Sequence, residues 1–574
     1  MTWLLLTILL PLLGAAAVAG LRKNDKLASA VALGVSLVVL ALIIPLWAGY
    51  DPGGERIQQA SSMDWIPTFG IHISFGIDGI ALVMIAVIAL LVPIVIGLLG
   101  VTDKLPEGKN VGGFLALILV QEALTIGVFA ATDVFLFYVL FEVMLIPMYF
   151  LIGGFGGANR QYAAVKFFLY SFLGGLIMLA SAIGAYSLSS EELGQGTFDW
   201  ETLVRVVSDA PTGTQIWLFL GFFLAFAIKA PLVPFHTWLP DAAGQAPIGV
   251  AVLLVGVLDK VGTFGFLRYC LPMFPDASSA LAPMVLVLAV AGVLYGSILA
   301  AGQQDMKRFI AYVSIAHFGF IALGIFAAVP DSSAPAADPA SAEQAMVGSV
   351  SYMLNHSLAT GMLIVVVGMV VARGRSSRIS DYGGMAKMTP LLGGVLLVAG
   401  LSTLSLPGTN SFISEFLVLL GSFDSRPVFT IIATVGMVLA AMYVLWLYQR
   451  VMQGPLRGDA LLGTLPEGAP SGGGSAASGG SAASAPGASA SGEGGAHPVT
   501  SDEGGGATAV LDADRGTKAG ITDLTRREIA ILAPMVVLIV GLGFYPKPVL
   551  DTITPSVQAT IQSVGSDAGA QEGN

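Results

Sequence analysis

The sequence predicts an all-α integral membrane protein of about fourteen transmembrane helices, with two inverted five-helix repeats (helices 4–8 and 9–13) and broken helices 7 and 12. Three observations predict it. Of 574 residues, 55% are hydrophobic and only 11% charged, and the mean hydropathy is +0.82, which is a membrane composition rather than that of a soluble core. Apolar runs long enough to cross a bilayer recur from end to end. Two of those runs, WLFLGFFLAFAIKAPLVPFHTWLPD (217–241) and STLSLPGTNSFISEFLVLLGSF (402–423), are interrupted by proline, and each holds an ionisable residue.

The spans fall at roughly 3–20, 27–48, 77–101, 113–130, 132–152, 164–187, 215–236, 247–270, 282–301, 308–328, 346–371, 390–420, 427–449 and 529–546. The first ends in small residues, as a signal peptide does, but it lacks a basic leading region and runs into further spans. It reads as a retained helix. Lysine and arginine collect in alternate loops (Arg22, Lys23 and Lys26; Lys104 and Lys109; Arg160; Lys307 and Arg308; Arg373, Arg375, Arg378 and Lys387; Arg450), whereas the opposite loops carry Asp51, Glu55, Asp64, Glu191, Glu192, Asp331 and Asp338. Basic loops stay cytoplasmic. A multi-pass protein of a bacterial-type cytoplasmic (inner) membrane, with both termini on the outer face, is therefore expected.

Five segments follow: helices 1–3 (1–110), a first repeat (111–272), a second, inverted repeat (273–453), a loop (454–522), and a last helix with its tail (523–574). An odd number of helices per repeat inverts the second copy in the membrane. The loop is almost all Gly, Ala, Ser and Pro, with too few large apolar side chains to offset ordering entropy, so a flexible connection is expected.

Composition also excludes classes of function. The single cysteine, Cys270, rules out an internal disulfide and any all-cysteine iron–sulfur or zinc site. No Gly-rich phosphate loop, nucleic-acid signature, nucleophile–base pair or metal-ligand spacing is present. The net charge of -11 lies mostly in loops and tail.

What remains is a set of ionisable residues at membrane depth, where each is a functional candidate by default. Lys229 stands beside Pro231 and Pro234, which should orphan the carbonyls of Ala227 and Ala230 and draw water to the break. Glu142 is mid-span, with Pro147 loosening the carbonyl of Val143. Lys260 has Asp259 next to it but about 100° round the helix. His317 and His356 fit equally a satisfied core and a relay; a haem-ligating pair lacks the small-residue faces a macrocycle needs. Glu415 follows the Pro407–Gly408 break. Glu122, Lys166, Arg268, Asp78 and Asp133 lie nearer helix ends and suit interface anchors. Titratable side chains joined by water are an arrangement for moving protons.

Three stretches, KAPLVPFHTWLPDAAGQAP, QQDMKRFIAYVSIAHFGF and LSLPGTNSFISEFLVLLGSF, closely resemble the antiporter-like membrane subunits of respiratory complex I. The resemblance covers nearly the whole chain except 454–522. Glu415 matches the type with an acid there, since its sister subunits usually have lysine. The resemblance implies a fourteen-helix fold with the two inverted repeats. It further implies a Glu142–Lys229 charge pair, Lys260 as central relay, His317 and His356 along the path, and Glu415 as distal group; His236, Asp259, Asp305 and Lys307 are possible auxiliaries. It implies no cofactor on this chain, with FMN, iron–sulfur clusters and quinone in partner subunits. The partners implied are other complex I membrane subunits, especially the antiporter-like L and N subunits on either side, and lipids, but not nucleic acid. Asp259 departs from the family, where the residue is commonly apolar, as does the long Gly/Ser loop. Sodium/proton antiporters and membrane-bound hydrogenases share the fold, and a purely structural subunit with static ion pairs is the other alternative.

Overall fold

A bilayer offers no partner to backbone amides and carbonyls, so an apolar chain crossing it must satisfy them within its own segment, as a helix does. The computed structural model describes residues 2–21, 23–103, 105–106, 108–330, 338–462 and 521–565. In chain order the elements are α1 (Trp3–Gly20), α2 (Asp25–Ala48), the hairpin of β1 (Gln58–Ile66) and β2 (Ile71–Ile77), α3 (Gly79–Leu98), α4 (Val111–Ala130), α5 (Val134–Phe155), α6 (Arg160–Leu193), α7 (Trp200–Ser208), α8 (Thr212–Lys229), α9 (Leu239–Gln245), α10 (Ile248–Met273), α11 (Pro275–Ala301), α12 (Met306–Ala327), α13 (Pro339–Gly374), α14 (Pro390–Thr403), α15 (Asn410–Ser425), α16 (Pro427–Met452), α17 (Asp459–Leu462), α18 (Arg526–Phe544) and α19 (Lys547–Gly565). Most of the Gly/Ser-rich loop, residues 463–520, lies outside the described residues.

Among the described residues, 13 helices are long and apolar enough to cross a membrane. The expected twelfth span, 390–420, is not one of them: it is split into α14 and α15, of 14 and 16 residues. The expected seventh, 215–236, stops at Lys229, where the two prolines begin. Two other helices outrun their apolar cores, because the flanking residues are good helix formers. α13 has 36 residues, about 54 Å at about 1.5 Å each, against a hydrocarbon core about 30 Å thick.

Side-chain caps set several starts. Asp78 accepts from the Ala81 amide at 2.8 Å and Asp133 from Leu136 at 2.9 Å. Thr525 and Glu528 form a reciprocal capping box on α18. Burial then ranks the helices. The apolar window of α10 is wholly enclosed, α12 and α13 are 94% and α3 89% buried, whereas α2 and α18 are 28% and 22%. The core is thus α3, α10, α12 and α13, and it holds Lys260, His317 and His356.

Two elements are absent from the sequence expectation. The β1–β2 hairpin pairs Ser62 with Ser74 and Met63 with Ile73. Its first strand is mostly polar, which hides it from a search for apolar runs. α19 buries Val549, Ile553, Val557 and Val564 with Thr552, Ser556 and Thr560 on one face and exposes the rest, so it is amphipathic rather than spanning. It packs across the start of α3, where Ser556 Oγ accepts the Gly79 amide at 2.9 Å. Arg56, just before the hairpin, donates to Thr560 Oγ1 at 3.0 Å.

Candidate functional site

At the first break the carbonyls of Ala227 and Ile228 are satisfied from beyond the prolines. The Leu232 amide donates to the Ala227 carbonyl at 2.9 Å, and Trp238 Nε1 donates to the Ile228 carbonyl at 2.8 Å. The expectation that the Ala227 carbonyl lacks a partner is therefore corrected: the chain turns back within two residues of Ala230 and supplies an amide from beyond Pro231. Lys229 closes α8 with a wholly buried side chain. Its Nζ lies 4.9 Å from the ring centre of Phe141 and 5.6 Å from that of Phe167, where an aromatic face stabilises a cation. Its ammonium has no hydrogen-bond partner.

Glu142, next to Phe141, has both carboxylate oxygens enclosed and unpartnered, lying against Gly175 of α6. A Cβ on Gly175 would occupy the carboxylate's place. No ion pair within 4.0 Å joins Glu142 to Lys229, so the charge pair implied by resemblance is open in this structure.

The second cluster is continuous. Lys260 Nζ donates to the Val255 carbonyl at 2.6 Å, contacts His356 Nδ1 at 2.6 Å and reaches Asp259 Oδ1 at 3.3 Å. Asp259 and Lys260, about 100° apart round the helix, meet nonetheless, because the long lysine side chain folds back along the helix to the Val255 carbonyl; Leu254–Leu258, just before them, winds as a π-helix. Since an ammonium only donates, Nδ1 accepts and the His356 proton sits on Nε2, which meets Ser314 Oγ at 3.1 Å. The His317 ring lies 5.3 Å from His356 and 5.6 Å from Tyr352, centre to centre. Tyr352 donates to Glu415 Oε2 at 3.4 Å, and Ser405 donates to the same oxygen. Gly348 permits this approach, since a Cβ there would stand 2.7 Å from the Val418 amide nitrogen of α15.

Thus Asp259, Lys260, His356, His317 and Glu415 form one line, whereas Glu142 and Lys229 stand apart from it. Of the auxiliaries, Asp259 joins this line and the other three lie elsewhere. His236 packs 5.0 Å from the Tyr295 ring. Asp305 caps α12 through the amides of Lys307 and Arg308, and Lys307 Nζ donates to the Ala246 carbonyl at 2.7 Å.

Sequence reasoning missed Tyr352, Ser314, Ser405 and the pair Asn355–Asn410. Asn410 donates to Asn355 Oδ1 at 3.0 Å and accepts from Ser402 at 2.7 Å, tying the second break to α13. One signal was available: Tyr352, Asn355 and His356 are spaced i, i+3, i+4 and so share a helix face. The interface-anchor reading of two residues is also corrected. Glu122 is 1% exposed within α4 with both oxygens unpartnered, and Arg268 pairs with Asp78 at 2.9 Å inside the protein.

Two caps outside the spans carry shifted carboxyls. Burial pushes Asp133 up to about 6, opposed by the Leu136 and His72 amides. Burial also raises Asp103, whose oxygens accept the Ile248 and Gly249 amides at 2.7 and 2.8 Å.

A helical membrane fold with a buried line of titratable groups defines a class of ion-moving proteins, and comparison gives the family. Residues 131–442 match the family described as NADH:quinone oxidoreductase/Mrp antiporter, TM, a stretch holding Glu142, Lys229, Lys260, His317, His356 and Glu415. The chain is 40% identical to NADH-quinone oxidoreductase subunit M of Mycobacterium tuberculosis, over 98% of this chain and 94% of that one. To the subunit M of Rhodobacter capsulatus it is 35% identical, over 98% and 96%. It superposes on a chain of respiratory complex I from Thermus thermophilus with bound NADH at TM-score 0.77 and 27% identity, covering 98% of this chain and all of that one. A chain of the Mrp complex from Dietzia sp. DQ12-45-1b shares the fold at TM-score 0.75 and 19% identity, over 98% of each. The chain belongs to the NADH:quinone oxidoreductase/Mrp antiporter membrane family. Within it, the chain groups with the subunit M proteins of NADH-quinone oxidoreductase.

Proposed function

We propose that this chain is a proton-translocating membrane subunit of respiratory complex I. It carries no redox group: NADH oxidation and quinone reduction, with FMN and iron–sulfur clusters, belong to partner subunits, and the antiporter-like L and N subunits flank it. It sits in a bacterial cytoplasmic membrane with both termini outside, and α14 with α15 makes the fourteenth crossing. α4–α10 (with α5 as one crossing and α7 and α9 as short pieces) and α11–α16 are its two inverted units. The observation that carries this reading is the line Lys260–His356–His317–Tyr352 inside the most buried helices, continued to Glu415 on α15.

Moving one charge against roughly 150–200 mV costs about 3.5–4.5 kcal/mol, supplied from outside this chain. When Glu142 leaves Gly175 and approaches Lys229, its negative charge holds a proton on the lysine; when it withdraws, the proton moves on towards Lys260. A proton passing from Lys260 arrives at His356 Nδ1, and the imidazolium discharges from Nε2. The path ends at Glu415.

The test is NADH-driven proton uptake by inverted vesicles, normalised to assembled complex. Lys229→Ala should lower it by roughly tenfold or more while leaving assembly intact. Normal pumping by an assembled Lys229→Ala complex would sink the reading. The shared fold with the Mrp chain favours one alternative, an ion-conducting subunit of a multisubunit sodium/proton antiporter. Co-purification of flavin and iron–sulfur subunits that oxidise NADH decides between the two.

A further inference from the structure

The link between α14 and α15 holds Ser405 and Gly408 in the left-handed region, at φ +60° and +93°, so no unbroken helical ladder carries the position of α14 into α15. α13 holds α15 instead. Farthest from the break, a Cβ on Gly421 would fall on the Ala345 amide nitrogen, and next to it one on Gly348 would meet the Val418 amide; small residues let two backbones approach in this way. Then come Tyr352 with Glu415 and, nearest the break, Asn355 with Asn410 and Ser414. Numbers rise along α13 as they fall along α15, so the two helices lie antiparallel in a single register. The last contact is the one that specifies it. Asn355 Nδ2 donates to the Asn410 carbonyl at 3.0 Å and to Ser414 Oγ at 3.2 Å. Asn410 Nδ2 donates to Asn355 Oδ1 at 3.0 Å and to the Asn355 carbonyl at 3.2 Å, and its Oδ1 accepts from Ser402 of α14 at 2.7 Å. Both asparagines are buried. A buried asparagine fixes the register of paired helices because other alignments leave its amide unpaired.

We infer that Asn355 and Asn410 are positioning residues for the proton path: the pair sets the axial register of α15 on α13 and thereby brings Glu415 to Tyr352. The role rests on the proton-translocating reading above and adds to it what holds the distal group in place. Tyr352 reaches Glu415 Oε2 at 3.4 Å, close to the limit of a hydrogen bond. A slip of α15 by one residue, about 1.5 Å along the axis, is enough to part them. The glycine contacts farther along are apolar backbone packing and do not oppose such a slip in the way paired amides do. Asn355 is also next to His356 in sequence, so one residue is tied to the histidine end of the line and, across the break, to its carboxyl end.

The bland alternative is a pair that only holds the fold together. Asn355→Leu combined with Asn410→Leu separates the two, because replacing both partners by apolar groups of similar shape can be nearly neutral for stability, while the register loses its lock. Complex assembled with this double variant should melt near wild type, and its NADH-driven proton uptake in inverted vesicles should fall by roughly fivefold or more. Glu415→Gln, expected to lower uptake roughly tenfold by itself, supplies the second readout. If the pair acts through Glu415, adding the double variant to Glu415→Gln leaves uptake at the Glu415→Gln level; independent effects would multiply to a loss of roughly fiftyfold. Wild-type uptake by the double variant, or a multiplied loss in the triple one, overturns the positioning role. If the double variant does not assemble, Asn355→Ser takes its place, since its hydroxyl is shorter than the amide it replaces, and the same outcomes decide. Lys229→Ala is run in the same series. With Lys229→Ala inactive, either overturning outcome leaves the proton-translocating reading standing. Normal uptake by Lys229→Ala instead sinks that reading, and the positioning role with it.

Discussion

Lys260 Nζ lies nearer to His356 Nδ1, at 2.6 Å, than to its neighbour in sequence, Asp259, at 3.3 Å. The primary partner of the central lysine is therefore a neutral ring on another helix, 96 residues away, and the carboxylate is secondary. A neutral acceptor that also carries a proton on its far nitrogen can take a proton on one side and release one on the other.

His356→Gln keeps a side chain able to accept from Lys260 but removes the second titratable nitrogen. Proton pumping by assembled complex should fall by roughly tenfold or more. Wild-type pumping by His356→Gln would reduce the histidine to a packing partner of Phe318 and His317.

Among the described residues, Asp259→Asn removes the only carboxylate in contact with Lys260. Leaving a buried charge short of its partner costs about 3–5 kcal/mol when nothing replaces it. Here the Val255 carbonyl and His356 remain, so a smaller loss is expected, of about 1–3 kcal/mol. Thermal release of the subunit from detergent-solubilised complex measures it. Unchanged melting together with unchanged pumping would show that Asp259 does not balance Lys260.

Much of this architecture was legible in the chain itself. Lys229, Lys260, His317, His356 and Glu415 are visible because an ionisable residue inside an apolar run has a large desolvation cost and little reason to persist there without a task. The breaks are visible because Pro231, Pro234 and Pro407 cannot donate to a ladder. The partners were harder. Ser314, Ser405 and Tyr352 are inexpensive in a membrane helix, so their presence carries no signal until the fold brings α12, α13 and α15 together. The Lys260–Asp259 contact was not legible because residue spacing gives the angle between two side chains on a helix, not how a long lysine folds back along it. The hairpin and α19 escaped for the opposite reason, since both are too polar to register as spans.

Glu415 tests the far end of the line. It is 4% exposed and takes hydrogen bonds from Tyr352 and Ser405. Glu415→Asp keeps a carboxyl one methylene back and should lower pumping only about two- to threefold; Glu415→Gln removes titration and should lower it roughly tenfold or more. Glu415→Lys restores a titratable group and should recover part of what Gln loses. Equal pumping by Gln and wild type would make Glu415 a polar packing residue.

Deleting residues 470–510 should leave pumping within about twofold of wild type, because the Gly/Ala/Ser composition cannot build a core and loop length has little thermodynamic weight. Vesicle assays of the shortened chain check this. A collapse of turnover in fully assembled complex would assign the segment a working role.

The π-turns of α10 have a consequence for how this chain tolerates change. Leu254–Leu258 and Phe266–Cys270 each hold one residue more than an α-helix would use. Losing a single residue from the first would return that turn to regular α-winding while the helix beyond it keeps its facing, so Lys260 stays against His356. An insertion has no such slack: one further residue in regular winding would swing everything beyond it by about 100°, carrying Lys260 away with every amino acid of the relay still present. Between residues 254 and 258 a one-codon deletion should therefore cost little pumping, while a one-codon insertion should silence the path as completely as losing the lysine.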